Sequence, residues 1–325
     1  MTRPVLVAPD SFKGTFSAHE VAAAVAAGVR SAGLEAVEMP VADGGEGTAA
    51  VLGGKEVAAT VSGPLGDPVD ASFVLRPDGS AVVECAAASG LGLVKEAERD
   101  AWAASTYGTG ELIAAAVGAG ASSVLVAVGG SATTDGGAGA VEALKETGVS
   151  PRMKVLCDVR TPFEDAARVF GPQKGADPAM VKRLSRRLAA FAADAPKDPR
   201  GVPMTGAAGG LAGGLWAHFG ATLVPGAPYV LDALGFDEAM RASLFVVTGE
   251  GRLDRQSLAG KAGGEVATRC RQSGVACRAV VGSVELDAFE QRILDLETVI
   301  EASTLAELEA AGRLLGQADS ASQRH

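Results

Sequence analysis

The chain is short of basic residues, aromatics, histidine and long apolar runs, and each shortage removes a class of function. Its 29 Lys and Arg face 39 Asp and Glu, a formal net charge of −10 at pH 7. The long-range field therefore repels polyanions, which argues against a general nucleic-acid binder. Small anionic substrates stay open, because local Lys and Arg clusters can override the global sign. Aromatics make up 4% of the residues, too few rings for a platform that stacks single strands. The only histidines are His19, His218 and His325, so a Ser-His-Asp hydrolase or a His-ligated metal enzyme is disfavoured and acids must carry the proton and metal chemistry. Cys85, Cys157, Cys270 and Cys277 are scattered without a Cys-x-x-Cys pair, and read as small buried hydrophobes in a reduced cytoplasm. The N-terminus leads into the four-residue apolar run Val5 to Ala8, far too short for a secretory h-region or a membrane span. The expectation is a soluble cytoplasmic protein.

What the chain has in quantity is glycine and small apolar residues. With 325 residues, 47% of them hydrophobic, it can bury one large core or two smaller ones, and length alone favours about two domains. Four glycine-rich turns carry or flank ionisable or hydroxyl side chains: Pro9 to Gly14, Asp43 to Gly47, Gly129 to Gly137 and Gly249 to Asp254. Several follow short β-type runs directly, and the carboxyl ends of strands are where open α/β sheets bind ligands. Glycines there let backbone N–H groups approach an anion, and carboxylates suit Mg²⁺.

The organisation follows from periodicity. Val5 to Ala8 is a buried strand, Ser17-Ala18-His19-Glu20 starts a helix with a capping box, apolar residues recur at 18, 21, 22, 25, 26 and 29, and Gly33 stops it. Ala36 to Val41 reads as the second strand of a β-α-β unit. From Glu56 to Glu84 the text changes to short strands separated by turn signals, an antiparallel meander. Thr109 to Gly118 and Ala138 to Lys145 read as helices around a strand at Val124 to Val128, and Pro178 to Ala193 as an amphipathic helix before a Pro-rich connector. The last third alternates again: strands at Leu244 to Val247, Ala276 to Val281 and Val299-Ile300, with helices at Ala262 to Gln272, Leu286 to Leu294 and Leu305 to Leu315. Five parallel-type strands result. The expectation is an α/β, doubly wound parallel-sheet domain made of residues 1–50 and 240–325, interrupted by a second α/β domain with a mixed sheet at 51–239. The tail after Gly316 reads as frayed.

The loops suit phosphoryl transfer, which needs phosphate positioning, a cation against developing charge, and a group that orients or deprotonates the attacking hydroxyl. Lys13 can pair with a phosphate or a carboxylate while Asp10 serves as base or metal ligand. Asp43-Gly44-Gly45-Glu46-Gly47 sets two carboxylates on one turn. Gly129 to Gly139 holds five glycines in eleven positions, with three hydroxyls and Asp135 at the start of a helix, where an anion is favoured. Lys261 can hold phosphate and Glu250 or Asp254 a Mg²⁺ ion. The pattern is neither a Walker A loop, since Lys261 is followed by Ala262, nor a G-x-G-x-x-G fingerprint, since Asp254 stands where the third glycine belongs.

Pro9-Asp10-Ser11-Phe12-Lys13-Gly14, Val41 to Thr48, Tyr107 to Leu112, Gly129 to Gly139, Phe170 to Gly175, Gly206 to Gly210 and Thr248 to Lys261 occur in an order that closely resembles the type 1 glycerate kinase family over nearly the whole chain. The resemblance departs at Thr134 and Gly263, where Asn and Pro are frequent in that family, and in a shortened stretch at 143–157. It implies a flavodoxin-like domain interrupted by a second domain, with ATP and Mg²⁺ as cofactors and D-glycerate phosphorylated to 2-phosphoglycerate in an interdomain cleft whose closure excludes water. On those motif positions Asp10, Lys13, Asp43, Glu46 and Asp135 are expected to be catalytic. Gly129, Gly130, Ser131, Thr133, Gly136, Gly137 and Lys261 are expected to bind ATP phosphates, Ser11, Lys13, Gly44, Gly45 and Lys174 the substrate, and Asp43, Glu250 and Asp254 the metal. Alternatives are a 3-phosphoglycerate product, a related hydroxy acid, or a nucleotide-binding regulator without catalysis. A homodimer is compatible with the sequence.

Overall fold

The computed structural model of the chain describes residues 3–258 and 260–322. Among them eleven strands follow in chain order: β1 (Val5–Pro9), β2 (Ala36–Glu38), β3 (Lys55–Ser62), β4 (Pro68–Leu75), β5 (Ser80–Glu84), β6 (Ser123–Ala127), β7 (Arg152–Cys157), β8 (Thr222–Pro225), β9 (Val246–Glu250), β10 (Cys277–Val281) and β11 (Thr298–Glu301). They form two compact units, one built from residues up to Asp43 together with those from Ala227 onward, the other from Gly44–Gly226.

The first unit is a five-stranded sheet in the order β11-β10-β9-β1-β2, parallel throughout. Counted within the unit, that order is 2-1-3-4-5, the flavodoxin-like arrangement, with its topological switch between β1 and β9. Both sheet faces are covered: Leu6 and Ala8 enter one apolar cluster, Val5 and Val7 another. This is why β1 reads as an uninterrupted apolar run rather than an alternating one. Each side chain so buried contributes about 1.5–3 kcal/mol for a valine or leucine.

The helix Ala18–Ser31 opens with the expected capping box, in which the Glu20 N–H donates to Ser17 Oγ and the Ser17 N–H donates to Glu20 Oε2. It buries the anticipated positions 18, 21, 22, 25, 26 and 29. Its neighbour is the C-terminal helix Leu305–Ser322, and the two approach through glycine: a Cβ on Gly28 would lie 1.9 Å from the Glu309 carbonyl oxygen, and one on Gly312 2.1 Å from that of Val25. Within the tail read as frayed the helix runs on to Ser322, and earlier in it Leu308, Ala311 and Leu315 enter the same apolar cluster as Val21, Val25 and Val29. The strand expected at 36–41 is regular only to Glu38, although Met39 and Val41 continue to donate to the Val7 and Pro9 carbonyls; Pro40 lies between them with its ring nitrogen on the outer edge, where no ladder bond is lost.

The chain returns to the first unit at Ala227, upstream of the expected residue 240. The helices Gly226–Ala233 and Phe236–Arg241 place Ala227, Leu231, Phe236 and Met240 in that unit's core.

The second unit has a mixed sheet in the order β3-β4-β5-β6-β7-β8. β3–β4 and β4–β5 pair antiparallel, as the meander pattern suggested, and β5 through β8 pair parallel. Strands β7 and β8 and the helix Leu211–Phe219 were not anticipated. All four cysteines are free and buried, as expected. No helix among the described residues is long and apolar enough to cross a membrane.

Gly28→Val must force two helix backbones apart. We expect a loss of at least about 1–3 kcal/mol, read as a lower thermal midpoint, whereas Ser17→Ala should cost only about 1 kcal/mol.

Candidate active site

The switch point of the first unit builds a cavity of about 450 Å³, within the range of small-molecule sites. Register fixes its floor: Pro9 lies opposite Gly249, and the Asp10 N–H donates to the Gly249 carbonyl at 2.8 Å. The two strand ends therefore deliver Asp10 and Glu250 to one place. After β1 the chain folds into a tight turn in which the N–H groups of Thr15 and Phe16 return to the Phe12 carbonyl, and Gly14 takes φ = 79°. That turn lifts Lys13 to the rim. Asp43 enters from the loop after β2, and Lys261 from the start of the helix Ala262–Ser273. Of the residues singled out in sequence, Asp10, Ser11, Lys13, Asp43, Glu250, Asp254 and Lys261 all line this cavity.

Its electrostatics are those of acids held close together. Asp10, Asp43 and Glu250 are 6%, 2% and 6% exposed. Burial first, and then the neighbouring Asp43 charge, pushes the Asp10 carboxyl up to about 7 against the pull of the Ser11 N–H and Lys13. Burial pushes Glu250 up to about 7 as well, opposed by the Ser257 hydroxyl and Lys261. Lys13 Nζ stands 3.6 Å from Asp43 Oδ2. Glu250 Oε1 is buried with no hydrogen-bond partner, an unsatisfied lone pair that suits a cation. No group of three or more His, Cys, Asp or Glu among the described residues could hold a metal ion by itself.

The remaining expected residues belong to the second unit, where several are held by hydrogen bonds of the chain itself. Asp135 was expected to act in catalysis. Its carboxylate instead accepts four hydrogen bonds, from the Thr106 N–H (2.9 Å) and hydroxyl (2.7 Å) and from the N–H groups of Gly137 (3.0 Å) and Gly139 (3.2 Å). A protein carboxylate thus already sits on the N-terminus of the helix Ala138–Glu146. The amides of Gly136 and Gly137, expected to bind ATP phosphates, are engaged within the chain: the Gly136 N–H donates to the Gly209 carbonyl and that of Gly137 to Asp135. Gly44, Gly45 and Gly129 allow close backbone packing, with a Cβ on Gly129 falling 2.6 Å from the Gly45 Cα. Glu46 Oε2 lies 3.5 Å from where a Cβ on Gly130 would be.

Lys174, expected to bind substrate, is 2% exposed. Its ammonium donates to Ser131 Oγ at 3.0 Å and to the Thr133 carbonyl at 2.5 Å. It fastens the loop after β6, and burial pushes its pKa down to about 8. Ser131 and Thr133 are thereby held in place, 6% and 0% exposed. His218, both ring nitrogens buried without partners, packs on Phe191 at 5.4 Å; His325 lies outside the described residues.

Sequence reasoning missed Thr15, Arg252, Gly282, Ser283 and Ser303 as cavity residues. Gly282 and Ser283 directly follow β10, and Ser303 follows β11 by one residue, so the strand-end rule that found Asp10 would have found them.

A model of the glycerate kinase family matches residues 5–150 and 145–311. Glycerate 2-kinase of Escherichia coli K12 is 42% identical, with 79% of each chain covered. Glycerate kinase of Halalkalibacterium halodurans is 40% identical over 86% of this chain and 85% of its own. In three dimensions the fold superposes on a crystal structure from Salmonella typhimurium LT2, assigned as glycerate kinase 2, with a TM-score of 0.84 at 34% identity and full coverage of both chains.

Two outcomes follow from the second unit. Asp135→Ala leaves buried donors of Thr106, Gly137 and Gly139 without an acceptor, at about 1–3 kcal/mol each, so chemical denaturation should register a loss of at least about 3 kcal/mol. Lys174 has a folded pKa below its unfolded one, so the unfolded chain binds more protons between pH 8 and 10.5. The stability of wild type relative to Lys174→Met should therefore rise with pH across that interval and level off at its lower value below about pH 8. Urea unfolding of both proteins from pH 7 to 10.5 checks this, and a pH-independent difference contradicts it.

Proposed function

The chain belongs to the glycerate kinase family, and on that premise we propose that it uses ATP to phosphorylate D-glycerate, giving 2-phosphoglycerate at the cavity of the first unit. One observation carries the assignment to this cavity: four acids (Asp10, Asp43, Glu250, Asp254) and three bases (Lys13, Arg252, Lys261) line a single space at the β1–β9 switch point. That is the equipment of phosphoryl transfer, in which little covalent work falls to the protein and positioning with charge neutralisation supplies the rate.

The division of labour follows from the surroundings of each group. Asp43 faces Lys13 and orients its ammonium, and Lys13 holds the charge of the substrate carboxylate near the reacting hydroxyl. Asp10, fixed by the Ser11 N–H at 2.6 Å to one oxygen, keeps the other oxygen for the hydroxyl proton. Glu250, with its unpartnered Oε1, and Asp254 would hold Mg²⁺, which when bound to the phosphates neutralises the charge that builds in transfer. Lys261 stands beside them as the phosphate cation. The glycerate hydroxyl is turned toward Asp10 because the acids cluster at that end of the cavity.

Asp10→Asn is expected to lower kcat by about 10²–10⁴ and Lys13→Ala to lower kcat/KM by at least about 10², both with an unchanged circular dichroism spectrum. ADP release from ATP with and without D-glycerate measures the rates, and a phosphorus-31 spectrum identifies the product. Wild-type rates in both variants would remove this centre, a 3-phosphoglycerate signal would move the reacting hydroxyl, and turnover with another hydroxy acid alone would change the substrate.

A further inference from the structure

The cavity is longer than one small acid requires. It is lined at the ends of four adjacent strands, β1 (Asp10), β9 (Glu250), β10 (Gly282 and Ser283) and, one residue past its end, β11 (Ser303). With strands about 4.8 Å apart, three spacings make a trough of roughly 14 Å. A three-carbon acid spans little more than one of them. The chemistry also changes along the trough. The β1–β9 end has the buried acids, whereas at β10 and β11 the lining is hydroxyl and backbone, with Arg252 alongside, paired to Glu285 at 3.2 Å.

Ser303 is held in a specific way. Its hydroxyl donates to Glu307 Oε2 at 2.8 Å, and its N–H donates to the same oxygen at 2.7 Å. These bonds hold the Glu307 carboxyl below its usual range. With its own proton committed, Ser303 Oγ faces a ligand as an acceptor, and an acceptor at that position selects a hydroxyl group rather than a phosphate oxygen. A ribose supplies such a hydroxyl.

Resting on the kinase reading above, we propose that the nucleotide donor lies along the β9–β11 part of the trough, with its ribose hydroxyls at Ser303 and Ser283 and its terminal phosphate at the switch point, leaving the β1 end to glycerate. Ser283 and Ser303 are then donor-recognition residues, and Arg252, at the end of β9, lies beside the intervening phosphates. The alternative polarity, glycerate at β11 and phosphates at β1, would set the acceptor hydroxyl three strands away from Asp10.

The test is a kinetic split in the full chain. Ser303→Ala and Ser283→Ala should each raise the KM for ATP and the Kd for ADP by about 2–12-fold, the value of one neutral hydrogen bond, while kcat and the KM for D-glycerate stay within twofold. In wild type, 2′-deoxy-ATP or 3′-deoxy-ATP should lose a similar factor, and that loss should vanish in Ser303→Ala if the two groups meet. A raised KM for glycerate with unmoved ADP binding would reverse the polarity, and sugar-analogue losses that persist in both serine variants would overturn the proposal. A wild-type chain that turns over no glycerate would sink the kinase reading, whereas turnover with ADP affinity unchanged in both variants would sink only this placement.

Discussion

The pairing of β1 with β9 is the constraint on which the rest of the first unit depends. It joins residues some 240 positions apart, as in the Thr248 hydroxyl that donates to the Ala8 carbonyl. A parallel pair cannot be closed by a hairpin, and here the connection has grown to contain an entire second unit. The same pairing defines the switch point, because β2 leaves β1 on one side while β9, β10 and β11 extend from the other. The ends of β1 and β9 then diverge from their following segments, and the gap between them is the cavity. Insertion, strand order and site are consequences of one register.

Burying three acids at that gap opposes folding. Desolvation raises both Asp10 and Glu250 to about 7, which means that their charged forms are disfavoured in the folded chain without a cation. The apolar clusters on the two sheet faces offset this cost. Groups arranged against their own stability in this way are characteristic of functional sites. The second unit shows the contrast. Asp135 there is also buried, yet it has four donors from its own chain. A carboxylate satisfied by its own chain has nothing left to offer a ligand.

How much of this was legible depended on range. The capping box at Ser17 and Glu20, the two-faced apolar run of β1 and the antiparallel meander are encoded within a few residues, and all three are present in the structure. Strand β7 escaped because Arg152 and Lys154 interrupt it with exposed charges, although Met153 between them and Val155 after them are buried. Strand β8 is four residues long and ends in Pro225. At the site, strand-end position identified Asp10 and Glu250, but the commitment of Asp135 to Thr106, 29 residues away, and of Lys174 to Ser131, 43 residues away, could not be read from spacing.

Glycine content carries a second meaning here. Five glycines in eleven positions suggested donors for phosphate, and several of them also meet other backbone closely: a Cβ on Gly137 would fall 3.1 Å from the Leu211 Cα and one on Gly139 2.5 Å from the Tyr107 nitrogen, while the glycines of the facing segment are equally confined. A Cβ on Gly209 would fall 1.9 Å from the Thr133 carbonyl oxygen, one on Gly210 2.8 Å from the Gly136 Cα, and one on Gly214 2.4 Å from the Gly136 carbonyl oxygen. Two backbones are in van der Waals contact here, and the approach is close enough to hold Ala208 at φ = 51°, a left-handed conformation that a residue with a side chain adopts at a cost of about 1 kcal/mol or more. Glycine in a strand-to-helix loop permits two different things, access for an anion and access for another backbone. Which one applies is decided by whether the N–H groups have partners, and for Gly136 and Gly137 those partners are already within the chain.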